Sequence, residues 1–292
     1  LALVLALSNA ADVAVSNGKF SSNYPAVVCP STPNGLTTAI SLPSSKSQIR
    51  STGTKSLSFI PAQTLRYMQS KAPIILESQG ATPVVWQIRK GVWAGSTICS
   101  SLQSEQWFVG GAGSVVSKSS LQIINSGLST SVVDLFVYTP NGVSPVNSIR
   151  VSKNSSKQIY LDSLAPGESS VAIHAITRSG RVTMFLHDQR QRGLQNLGSD
   201  FVSQSANPEK RVVIPAINNI ALSGRNTVQM LRILAPGNVN ANVRAKLIAS
   251  DGTFAPLELD DVNVKGGNVK DIIFKPVLLA KNFSLVLTSD QP

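Results

Sequence analysis

The chain has 292 residues, room for two or three domains of ordinary size. Hydrophobic residues make up 42% and charged residues only 14%, which excludes a solvated disordered tail, a coiled coil and a polytopic membrane protein. Lys and Arg outnumber Asp and Glu by 26 to 15, a formal net charge of +11 that favours anionic partners.

The chain opens on an apolar run, Leu1 to Leu7, followed by Ser8-Asn9-Ala10. Residues 1–18 read as a truncated signal peptide or the outer end of a membrane anchor, because the run is far shorter than the ~20 residues that span a bilayer. A strand or tail of a folded domain is the plain alternative. Export makes one disulfide between Cys29 and Cys99 the expected state, closing a loop of about 70 residues. Two buried free thiols are the alternative, since two cysteines carry little pattern. Residues 19–106 read as a first β module, with Ala62 to Gln69 as a turn or two of helix.

Period-two alternation dominates the rest. Leu121-Gln122-Ile123, Val133 to Tyr138, Gln158 to Leu161 and Val182 to Leu186 are short β-rich runs separated by turns such as Pro140-Asn141-Gly142 and Ser179-Gly180. The run Val133 to Tyr138 lines up with Val243 to Ile248, and Lys157 to Leu161 with Lys270 to Phe274. The copies lie about one immunoglobulin-type sandwich (~100 residues) apart. A weaker third copy lies upstream in Lys55 to Phe59, Ile74-Ile75-Leu76 and Val84-Val85-Trp86. The expected fold is all-β: tandem immunoglobulin-like β-sandwich modules, with 107–210 as the second sandwich and 211–292 as the third. The third lacks a counterpart of Val182 to Leu186. It therefore reads as C-terminally truncated, with an open sheet edge and sequence missing beyond both ends.

Several of these segments resemble a known family. They are Leu121 to Asn125, Leu135 to Gly142, Leu164-Ala165-Pro166-Gly167, Asp188 to Leu194, Gly198-Ser199-Asp200 and Val213-Ile214-Pro215. With Cys29-Pro30, Cys99 and Trp107 to Gly111, they are similar to actinobacterial exported proteins of the domain of unknown function 5719 family, over most of residues 26 to 292. The resemblance implies an envelope or secreted location and β-sandwich modules. It implies no catalytic residues.

Signals for chemistry are sparse. His174 sits within a strand and reads as a half-buried packing residue. His187 and Asp188 are adjacent on a strand and face opposite sides, so they make a poor catalytic pair. No Gly-x-Ser-x-Gly elbow accompanies them. Gly110 to Gly113 lacks the Lys-Ser/Thr of a phosphate loop and reads as a turn. Asp260-Asp261, with Asp251 and Glu258, lacks the spacing of a calcium loop. No catalytic, metal or cofactor residues are assigned.

Binding is the better reading. Arg178, Arg181, Arg190, Arg192, Lys210 and Arg211 form a candidate site for anionic envelope polymers, and other envelope proteins are the second partner class. No nucleic-acid module is present. Trp86 alternates with Val84 and Ile88 and reads as core, whereas Trp93 and Trp107 are candidates for sugar stacking. The expected function is an exported, non-enzymatic cell-envelope scaffold or adhesion protein. A carbohydrate-binding module and a hydrolase with a loop-built site are the alternatives.

Overall fold

The computed structural model describes residues 26–33, 35–68, 71–77, 84–89, 93–219 and 229–292. Among these the protein is nearly all β, in small antiparallel sheets, with two single-turn 3-10 segments. The expectation about residues 1–18 lies outside the described residues.

The first module contains β1 (Val27–Cys29), β2 (Thr37–Ser41), β3 (Gln48–Ser51), β4 (Ile60–Pro61), β5 (Arg66–Met68), β6 (Ile74–Glu77), β7 (Val84–Arg89) and β8 (Trp93–Ile98). They form two four-stranded sheets, β1-β6-β3-β4 and β5-β2-β7-β8. Ile40, Ile49, Ile74, Leu76 and Val85 fill the space between them. Cys29 and Cys99 are bonded, with Cα atoms 4.4 Å apart, and both belong to this core. Two expectations fail here. The segment read as a helix carries β5, paired to β2, because Gln63 at φ 58° turns the chain out of any helical path. Lys55 to Phe59, taken as part of an upstream repeat, is coil; only Ile60–Pro61 beyond it pairs, with β3.

The second module holds β9 (Glu105–Val109), β10 (Ser120–Asn125), β11 (Ser131–Thr139), β12 (Gly142–Val143), β13 (Asn147–Val151), β14 (Ser155–Tyr160), β15 (Ala172–Ser179), β16 (Val182–Arg192) and β17 (Gln195–Val202). One sheet runs β14-β10-β16-β17. The other runs β12-β11-β15-β9, with β13 also on β11. The alternation seen in the sequence is the in-and-out period of a strand. Val133, Leu135 and Val137 of β11 face Leu121 and Ile123 of β10 and Val182, Met184 and Leu186 of β16 in one buried cluster.

The third module contains β18 (Arg211–Asn218), β19 (Gln229–Ala235), β20 (Ala241–Ala249), β21 (Gly252–Phe254), β22 (Val262–Val264), β23 (Asn268–Phe274) and β24 (Asn282–Ser289). The sheet β18-β24-β20-β21, with β22 also on β20, repeats the order β9-β15-β11-β12 and β13. The pair β19–β23 repeats β10–β14 in register. Ile233 lies opposite Lys270 and Leu231 opposite Ile272, as Ile123 lies opposite Lys157 and Leu121 opposite Ile159. The second sheet of the two modules differs: β16 and β17 continue it in the second module, and neither has a counterpart among the described residues of the third. In the second, β16 covers the other edge of β10, whereas among the described residues no strand pairs with that edge of β19.

Candidate functional site

That uncovered edge opens onto a cleft of about 820 Å³ between the second and third modules. Leu231 and Ile233 of β19, Val243 of β20 and Leu287 of β24 line its apolar wall. The corresponding positions in the second module are closed. Ile123 and Ala175 there are completely buried, whereas their counterparts Ile233 and Leu287 are only half-buried. Across the cleft lie Gly110, Gly111, Asp188 and Arg190 of the second module, and the connecting segment 203–210 forms its rim.

A part-buried ion pair links the two modules beside this cleft. Arg232 is held by Asp271 on the neighbouring strand, Nε to Oδ1 at 2.6 Å and Nη2 to Oδ2 at 2.8 Å. From there it crosses to the second module, where Nη1 donates to the carbonyls of Gly111 at 2.5 Å and Val171 at 3.2 Å. Ser170 donates to Asp271 Oδ2 at 2.5 Å. Burial works against the Asp271 charge. The bonds from Arg232 and Ser170 and the charge of Arg232 outweigh it and hold the carboxyl below its ordinary range. Beside this pair, Trp107, Tyr138 and Ala172 pack on Val269.

The first junction is built in a similar way. Arg50 is buried, and its Nη1 donates to Asn154 Oδ1 at 2.6 Å while Nη2 reaches the Ser126 carbonyl at 3.2 Å. Val28 and Ile75 pack there on Ile124 and Phe185.

A family model matches residues 78–292, that of a family of unknown function, the domain of unknown function 5719 family. The chain belongs to this family. No curated protein matches the chain. The crystal structure of Thermotoga maritima 1070 is 20% identical, covers 34% of this chain and 92% of its own, and superposes with a TM-score of 0.30, too low to carry an argument.

In this family member the basic residues expected to form one patch are dispersed. Arg178 is bound by Asp134 at 2.7 Å and Arg190 by Asp188 at 2.6 Å. Arg181 precedes β16 and Arg190 lies near its far end, a separation of about 30 Å at the ~3.3 Å rise of a strand. Arg181, Lys210 and Arg211 are exposed. The side chains of Arg192 and Trp93 lie outside the described residues. Trp107 corrects an expectation. It is 6% exposed, with its ring stacked on His174 at 3.6 Å, so no sugar reaches that face. Its stretch looked irregular because both faces of β9 are covered, one by its own core and one by the third module.

One contact was not anticipated. The buried pair His187 and Ser199 are hydrogen bonded across the β16–β17 hairpin. Burial pushes the His187 imidazole down to about 4, against the pull of Asp188. Asp188 points to the opposite face, as strand geometry requires, and accepts from Ser117 and Ser119 at 2.6 Å each. Cross-strand pairing of two residues on separate strands has no local sequence signal. Among the described residues, no group of three or more His, Cys, Asp or Glu is placed to hold a metal ion. No helix among them is long and apolar enough to cross a membrane.

Proposed function

We propose that the protein is an exported, non-enzymatic scaffold of the actinobacterial cell envelope whose binding site is the cleft between its second and third modules. The observation that carries this reading is the Arg232–Asp271 pair, which ties the third module to backbone carbonyls of the second beside the cleft, with Arg232 in its lining. Apolar walls with a few polar groups at the edge are the usual make-up of a binding site. The Cys29–Cys99 bond is in keeping with an oxidising compartment. Binding rather than catalysis is favoured because the His187–Ser199 pair is buried and does not line the cleft.

The second and third modules are proposed to be immunoglobulin-like sandwiches. Their support is the facing of β10–β14 and β19–β23 against a second antiparallel sheet across one core. Anionic envelope polymers are proposed to meet the exposed Arg181, Lys210 and Arg211.

An apolar fluorescent dye tests the site. Val213 lines the cleft and is 48% exposed, so Val213→Lys leaves the core intact. The dye is expected to bind once per molecule and at least tenfold more weakly to this variant; equal binding would overturn the assignment. Cell fractionation tests the location, and recovery in the cytoplasm would count against export.

A further inference from the structure

We propose that the tip of the β16–β17 hairpin, together with the segment 114–118 beside it, enters the surface of an anionic lipid bilayer. The proposal does not depend on the cleft; it gives the protein a second contact at a different place.

The tip inverts the usual order of burial. Ser117 and Ser119 lie inside, bonded to each other and to Asp188 Oδ1, and Ser119 is 2% exposed. Val115 and Val116 stand outside, and Val115 is 88% exposed. Pairing with the end of β16 holds the segment there. The Gln191 amide donates to the Val116 carbonyl at 2.9 Å, Gln191 Nε2 to the Val115 carbonyl at 2.8 Å, and the Lys118 amide to the Gln189 carbonyl at 2.8 Å. On the other side Arg192 of β16 pairs with Gln195 of β17, so Gly193-Leu194 is a two-residue loop. Gly193, at φ 55°, makes the turn, and the turn does not require an apolar residue after it. Leu194 is nonetheless fully exposed at the apex, and Leu197 is exposed on the strand that leaves it. Four apolar side chains thus stand on three adjacent strands, each about 5 Å from the next. Exposed apolar residues scattered singly are ordinary; a group at one hairpin tip marks contact with something apolar.

The charges identify the partner. No acidic residue occurs from Gln106 to Val133 or from Gln189 to Ser199. Asp188, which borders the tip, is engaged by Arg190 at 2.6 Å. Lys118 is exposed, and Arg192 is the last residue of β16. The level of Lys118 and Arg190 lies three or four residues before Gly193, about 10–13 Å by strand rise. Apolar side chains of an interfacial segment sink about 5–10 Å into the boundary of head groups and acyl chains. With the apex at that depth, the cations stand among the head groups, where an anionic surface attracts each of them. A bilayer offers these two layers in the order in which the tip presents its own. The pairing on both sides of β16 already fixes the tip, so little ordering cost remains at binding.

Co-sedimentation of the whole protein with vesicles tests this. Binding is expected to mixed phosphatidylglycerol–phosphatidylcholine vesicles, and at least tenfold weaker binding to phosphatidylcholine alone. Leu194→Ser, a change at a fully exposed position, is expected to weaken binding to the mixed vesicles about tenfold or more. Lys118→Glu is expected to weaken it at least about fivefold. Arg181→Gln, at the opposite end of β16 and about 30 Å away, lies beyond the reach of screened charge and should leave it unchanged. In Leu194→Trp, the added fluorescence should shift to the blue on the mixed vesicles. Full-strength binding by Leu194→Ser would leave the tip outside the bilayer and overturn the proposal. Equal losses from Arg181→Gln and Lys118→Glu would overturn it too, since the net charge of the whole protein then accounts for the attraction. So would a lipid-free dimer that Leu194→Ser disperses, because a second copy then covers the tip.

Discussion

Arg232 donates to the carbonyl oxygen of Gly111 at 2.5 Å across 121 residues of chain, and this bond joins the second and third modules together with the Ser170–Asp271 and Asn268–Pro140 hydrogen bonds and the apolar patch on Val269. The Arg232 side chain is 6% exposed, so removing it strands the partly buried Asp271 carboxylate and two carbonyls. Arg232→Ala is expected to cost about 3 kcal/mol in chemical denaturation. It should also broaden the distance distribution between spin labels on the two modules. Arg232→Lys recovers only part, because a single ammonium does not reproduce the guanidinium fork. Acid should act in the same direction. The folded Asp271 carboxyl titrates below the ordinary 3.8, so its contribution is complete above that value and is lost as pH falls through the lower, folded one. Unchanged label distances at low pH would contradict this.

His187 gives a separate pH dependence. Its folded imidazole titrates at about 4 against 6.5 for the free group. The unfolded chain therefore takes the proton first, and stability falls as pH drops from 6.5 to about 4, by at most about 3 kcal/mol. His187→Gln keeps a hydrogen-bonding group beside Ser199 and does not titrate. A denaturation series on this variant should lose the slope in that window; an unchanged slope would assign it elsewhere.

Reduction of Cys29–Cys99 should act on the first module. The bond closes a separation of 70 residues, and by loss of unfolded-chain entropy it contributes about 4 kcal/mol. A double Cys→Ser variant is expected to expose β1 and β8 to proteolysis while the second and third modules stay resistant. Equal loss of resistance throughout would show that the modules unfold as one.

Gly180→Ala tests the hairpin between β15 and β16. The position has φ +86°, and an added Cβ meets Ser131 Oγ at 2.0 Å and Ser131 Cβ at 2.7 Å. A loss of roughly 2–3 kcal/mol is expected from strain and overlap together. Combining it with Ser131→Ala removes the hydroxyl and leaves the Cβ contact, so thermal denaturation should show partial recovery only.

The sequence displayed the strands of the second and third modules because each has one face in a core. Val133-Asp134-Leu135 and Val243-Arg244-Ala245 alternate cleanly, and β11 and β20 hold equivalent places with the same neighbours. The junctions were not legible. Nothing in the sequence marks Arg50 or Arg232 as a junction residue, because periodicity reports which face of a strand is outward and not whether that face meets water or another module. Trp107 was misjudged on that ground: its outward face is buried against Val269 of the third module. His187 and Ser199 meet only once β16 and β17 are paired.

Residue-resolved hydrogen exchange on the free protein tests most directly that β19 repeats the place of β10 and is paired along one edge, by β23. In β10, flanked by β14 and β16, amides along the whole strand should be protected. In β19, amides directed at β23 should be protected and those between them should exchange as exposed groups, giving an alternating pattern. Uniform protection along β19, equal to that of β10, would mean that its second edge is already occupied, and the account of an open cleft would be wrong.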